Sequence, residues 1–114
     1  MTTTPIPLKL MADYDYYPLW QMNEVGNLDP DQLSLSTILK KHLKNWAEWY
    51  DETLTVDDPT SSGFKNWRDS LLFEEEGKFL WRQLQEELGT EYEVFYFSQL
   101  KGRILDLSEM RKVA

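Results

Sequence analysis

The chain has 114 residues, 41% hydrophobic and 14% aromatic, with no cysteine and a formal net charge of -8. That length suits one domain with its own core, and the aromatic content excludes a disordered chain. Disulfides and thiolate metal sites are excluded outright. No apolar run approaches the ~20 residues of a membrane span, and the start Met-Thr-Thr-Thr-Pro-Ile-Pro lacks the basic and apolar parts of a signal peptide. The expectation is a cytoplasmic protein with no membrane association.

The charge is unevenly spread. Residues 1–98 carry 18 acids and 8 bases, whereas 99–114 are net basic through Lys101, Arg103, Arg111 and Lys112. An acidic body repels nucleic-acid phosphates and attracts basic partners, so no nucleic acid is expected as a partner.

In chain order, Leu8, Leu10 and Ala12 alternate with Lys9, Met11 and Asp13, which predicts a half-buried strand over about 8–13. Asp13-Tyr14-Asp15-Tyr16-Tyr17-Pro18-Leu19-Trp20 follows, with four aromatic rings and two carboxylates in eight residues. It reads either as a lid over a core or as a recognition surface, since Tyr and Trp supply interface energy at low entropy cost. Gly26 and Asn27 are turn residues, and Asp29-Pro30 predicts a short helical turn at 30–33.

Ser34 or Ser36 can cap a helix over about 35–54. Leu35, Leu39, His42, Trp46, Trp49 and Thr53 recur at helical spacing and form its predicted buried stripe. Lys40, Lys41 and Lys44 precede Glu48, Asp51 and Glu52, an order that opposes the helix dipole. Val56 to Phe64 carries Asp-Pro and Ser-Gly turn chemistry, and Phe64 and Trp67 are expected to plug this loop onto the body. A second helix over about 67–88 has Phe73, Gly77, Leu80, Leu84 and Leu88 on its apolar stripe, with Phe79 and Trp81 beside it, and ends at Gly89. Gly77 in mid-helix implies close approach of another backbone. Glu91 to Phe97 alternates as a second strand.

The fold class expected is α+β in β-α-α-β order: two antiparallel strands (about 8–13 and 91–97) packed on a helical hairpin (about 35–54 and 67–88). Residues 1–98 form the single domain, with 99–114 a C-terminal tail or short helix.

Two stretches could carry function. The first is Asp13, Tyr14, Asp15, Tyr16 and Trp20. The second is Asp57-Asp58-Pro59-Thr60-Ser61-Ser62-Gly63, where Asp57, Asp58, Ser61 and Ser62 offer hard oxygen ligands but also suit a capped turn. It matches neither a calcium loop nor a phosphate loop. His42 reads as a core histidine, or as a general base if Asp13 or Asp57 reaches it. Glu74-Glu75-Glu76 reads as a solvated face, or as a decoy for the basic groove of a toxin. No catalytic residue, metal ligand set or cofactor site is assigned.

Leu8-Lys9-Leu10-Met11-Ala12-Asp13-Tyr14, Pro18-Leu19-Trp20, Trp46-Ala47, Tyr50-Asp51, Asp57-Asp58-Pro59 and Ser61-Ser62-Gly63-Phe64 together resemble a family of small bacterial proteins of unassigned function, over about residues 8–97. The resemblance implies a stand-alone bacterial cytoplasmic protein and maps no functional residues. By analogy of size, acidity and aromatic content, the reading is a non-enzymatic protein-interaction module, an immunity-type inhibitor of a basic toxin. The alternative is a metal-assisted hydrolase or ligand-binding protein using an Asp cluster, and a homodimer is a further reading.

Overall fold

The computed structural model describes residues 4–54 and 63–110. Its elements are β1 (Ile6–Leu10), β2 (Leu19–Gln21), β3 (Asn27–Leu28), α1 (Thr37–Asp51), α2 (Trp67–Leu88), β4 (Tyr92–Ser98), β5 (Arg103–Leu105) and α3 (Leu107–Met110). The strands form one sheet in the order β3-β2-β1-β4-β5, with α1 and α2 on one face.

The α+β class and the helical hairpin are as expected, and the two-stranded antiparallel sheet is not. The sheet has five strands, and β1 and β4 pair in parallel, Ile6 beside Tyr92 and Leu10 beside Tyr96. The reason lies in the connection between β3 and α1. Trp81 and Gln85 bond to Val94, and Glu74 accepts from Tyr96 and Ser98, so α2 runs antiparallel to β4. Trp46 bonds Phe73 while Ser36 bonds Glu87, so α1 runs antiparallel to α2 and points the same way as β1. The chain leaves β3 at the Leu10 end of the sheet but must start α1 at the Ile6 end. Residues 29–36 therefore travel back without reversing the next element, pinned by buried Pro30, Leu33 and Leu35.

Asp13 ends the first strand early, because its carboxylate accepts the Tyr14 N–H and its carbonyl accepts the Tyr16 N–H, forming a turn. Ser36 caps α1, its hydroxyl accepting the Leu39 N–H at 3.1 Å. Asn66 caps α2 in the same way through the Asp69 N–H at 2.8 Å. The turn at Pro30–Gln32 is a single 3-10 turn. Beyond Ser98 the chain adds β5 to the sheet edge, pairing Phe97 with Ile104, before α3. Asp106 and Glu109 form a reciprocal capping box at α3; the Ser108 hydroxyl donating to Asp106 and Arg103 at 2.7 Å from Glu109 do most to hold the two carboxyl groups below their usual range.

The core joins Leu8, Leu10, Leu19, Val94, Tyr96 and Leu105 of the sheet to Leu39, Leu43 and Trp46 of α1 and Phe73, Leu80, Trp81 and Leu84 of α2. Four expectations are corrected here. His42 is exposed, because the buried stripe of α1 runs through Leu39, Leu43, Trp46 and Ala47 instead. Trp67 is 71% exposed and plugs nothing, although Phe64 does pack on Trp49, Tyr50 and Phe73. Glu74 is 3% exposed and belongs to the interior, where the Tyr96 and Ser98 hydroxyls donate to it and Lys78 lies 3.8 Å away. Burial and the Glu74 carboxylate push the Tyr96 hydroxyl well above its ordinary pKa. Gly77 is there for side chains, since a Cβ would meet the Trp46 ring at 2.9 Å and the Tyr96 hydroxyl.

Candidate functional site: an acidic cleft

The aromatic and acidic stretch divides in two. Pro18 and Leu19 are buried, and Trp20 is held by its indole N–H donating to the Met11 carbonyl at 2.9 Å. Tyr14 stacks on Tyr50 at 4.5 Å and bonds Thr53 at 2.8 Å, which fastens the loop to the end of α1. Burial and the Tyr14 hydroxyl push the Tyr50 pKa up to about 12. Asp13 is committed to its own turn. Asp15, Tyr16 and Tyr17 are exposed.

These three residues form one wall of a cleft of about 590 Å³ between the loop, residues 27–31 and α1. The loop is rigidly placed. Asp15 has a φ of 64°, and its N–H donates to the Asp51 carboxylate at 3.0 Å. Asn27 accepts the Tyr17 N–H at 2.8 Å and donates to the Tyr17 and Leu19 carbonyls. The opposite wall is the face of α1 bearing Lys40, Lys44, Ala47, Glu48 and Asp51. Ala47 leaves the room that a larger side chain on this face would fill.

Five carboxylates, those of Asp15, Asp29, Asp31, Glu48 and Asp51, line the cleft against the two ammonium groups of Lys40 and Lys44. Lys40 lies 3.7 Å from Asp31. The neighbouring Asp29 carboxylate raises the Tyr17 hydroxyl above its ordinary pKa. Such a cleft favours cations and basic side chains, and its tyrosines offer apolar area with a polar tip.

Of the residues singled out from sequence, Asp15 and Tyr16 line the cleft, while Asp13, Tyr14 and Trp20 support the loop that carries them. Trp20 reaches the surface on another side, where Tyr16 packs on it at 5.1 Å. Asp57, Asp58, Ser61 and Ser62 lie outside the described residues. Exposed His42 sits in a groove with Asn45, Trp49, Leu72 and Glu76. Among the described residues, no group of three or more His, Cys, Asp or Glu side chains is arranged to hold a metal ion. Sequence reasoning missed Tyr17, Asp29, Asp31, Glu48 and Asp51. The available signal was the spacing of Lys40, Lys44, Ala47 and Asp51, which puts polar groups and one small residue on a single helical face.

A family model described as Serratia CdiI immunity protein-like matches residues 6–99, which span β1 through β4 and both long helices. No curated protein matches the chain. The chain belongs to the Serratia CdiI immunity protein-like family. Membership implies an immunity protein, one that binds and inhibits a toxin, so the chain is a protein-interaction module whose partner is a toxin protein. No helix of the described residues is long and apolar enough to cross a membrane.

Proposed function

We propose that the protein neutralises its toxin by setting the acidic cleft against a basic surface of that toxin, as a stoichiometric inhibitor in the bacterial cytoplasm. The observation that carries this reading is the excess of five carboxylates over two lysines around a rigid, tyrosine-bearing cleft. The acids steer encounter, because a net-negative cleft raises the association rate of a basic partner. Tyr16 and Tyr17 then hold the complex through buried aromatic area, which acts mainly on dissociation. Inhibition follows by steric cover: a toxin whose substrate is itself anionic, with the basic groove such a substrate needs, loses access to it. The absence of cysteine suits a reducing compartment.

The test is binding of the purified chain to its toxin's purified toxic domain, followed by surface plasmon resonance at several salt concentrations. The triple change Asp29→Asn, Asp31→Asn, Glu48→Gln is expected to slow association by ~10-fold and flatten its salt dependence. Tyr17→Ala is expected to speed dissociation instead. Binding that ignores both the triple change and the salt would remove the cleft from the interface.

A further inference from the structure

The helices cover one face of the sheet, and no described helix or strand lies over the other, where the Tyr16 ring packs on Trp20 at 5.1 Å. Strand register arranges that open face in three rows. Met22, Pro7 and Glu93 form the first, since the Met22 N–H donates to the Pro7 carbonyl and Pro7 pairs with Glu93. Trp20, Lys9 and Phe95 are direct partners in the second. Met11 enters the third beside Phe97, which pairs with Ile104. Met22 is 38% and Ile104 41% exposed, and Met11, Trp20, Phe95 and Phe97 are half-buried.

The solvated face of a sheet whose other face is packed normally alternates to polar residues. Here, among the described residues, six large apolar side chains share it with two charged ones, Lys9 and Glu93. The Lys9 ammonium leans over the Trp20 ring at 5.9 Å, so the one cation lies among the aromatics rather than standing off in water. Contiguous exposed apolar area of this kind marks a binding surface.

Charge decides what covers it. The chain carries -8, so two copies repel over most of their surface. The open face is neutral, with one base and one acid, and is where a second copy can approach without that cost. A basic partner is drawn to the five-carboxylate cleft, and nothing draws it to a neutral apolar face. Lys9 and Glu93 also lie on adjacent strands two residues apart in register, since Lys9 pairs with Phe95. A two-fold axis in the plane of the contact can therefore set each Lys9 against the other copy's Glu93, the reciprocal pairing an isologous interface requires. Homodimer interfaces are also the most apolar class of protein contact.

We infer that the open sheet face is the interface of a two-fold homodimer, packed sheet on sheet, with Lys9 and Glu93 paired reciprocally across it. The acidic cleft opens on the α1 side and meets this face only at Tyr16, which packs on Trp20, so each copy can hold one toxin.

Sedimentation equilibrium of the full chain across a wide concentration range tests this. Expected is a mass tending to twice the 13.6 kDa monomer. Ile104→Lys and Lys9→Glu should each raise the dimer dissociation constant by ~10-fold or more, and adding Glu93→Lys to Lys9→Glu should recover most of that loss. Ile38→Lys on the exposed face of α1 should leave the dimer intact. Circular dichroism and the melting temperature verify that each variant folds. A monomer at every concentration overturns the inference, as does a dimer that survives Ile104→Lys and Lys9→Glu. Dissociation by Ile38→Lys alone would move the interface to the helices. A monomeric wild-type chain whose toxin binding is lost in Ile104→Lys would assign the face to the toxin instead.

Discussion

The interior around Glu74 and the cleft around Asp15 are built from the same materials and do opposite things. Both combine tyrosine with carboxylate beside α1. In the interior, Trp46 stacks on Phe73 at 4.5 Å, Trp81 stacks on Tyr96 at 5.6 Å, and the single carboxylate accepts from two hydroxyls. In the cleft, five carboxylates face two lysines, and the exposed tyrosines have room beside them. What separates core from site is therefore the balance of donors to acceptors and of cations to anions. A satisfied carboxylate rigidifies the fold, and an excess of unneutralised ones is available to a partner.

The contrast is broken most sharply at Glu74. Glu74→Ala leaves the buried Tyr96 and Ser98 hydroxyls without their acceptor and opens a void, and should cost about 3 kcal/mol by urea denaturation. Toxin affinity of the folded fraction should hold. Gly77→Ala is next. The new methyl group meets Trp46 and Tyr96, and overpacking of about 3 kcal/mol outweighs a propensity gain of about 1 kcal/mol, for a net loss of about 2 kcal/mol.

Cleft substitutions should reverse the pattern. Asp51→Ala frees an Asp15 N–H that water can reach, so stability should fall by less than about 1 kcal/mol. Toxin association should slow measurably, because the change removes a cleft charge and loosens the loop. Asp15→Gly relieves the positive φ but adds unfolded-state entropy, and should leave the stability by urea denaturation unchanged to within about 0.5 kcal/mol. A large stability loss in either variant would mean the cleft is structural.

The smallest effect is one of pH. The folded Tyr50 pKa of about 12 exceeds the ordinary value of 10.0, so the ionised form is disfavoured in the folded state. Its contribution is complete below about pH 10 and is lost as pH rises through about 12. Tyr14→Phe removes one cause of that shift. The alkaline loss of stability, followed by far-ultraviolet circular dichroism, should then begin at the same pH but be shallower.

Much of the fold was legible locally. The apolar spacing of α2, the Ser36 cap and the alternation of β4 reflect interactions within a few residues. β2, β3 and β5 were not legible, because two- and three-residue strands leave no periodicity to detect and exist only by pairing: β2 with β1, β3 with β2 and β5 with β4. His42 lies one position off the axis of the buried stripe of α1, so large-residue spacing alone puts it on the wrong face. Ala47, a small residue on the true stripe, carried no weight in a pattern built on large side chains. Glu74 looks solvated in sequence because its neighbours Glu75 and Glu76 hide that it is the buried one of the three.

The sequence by itself determined the α+β class, an excess of acidic residues, two long helices and an aromatic stretch after the first strand, because those follow from composition and local spacing. The tertiary structure decided the parallel pairing of β1 with β4, since only the path of residues 29–36 sets the direction of α1. It also decided that Asp15 and Tyr16 share a cleft with Asp29, Asp31, Glu48 and Asp51. No local pattern brings together carboxylates 14 to 36 residues apart; the return of the chain along α1 does.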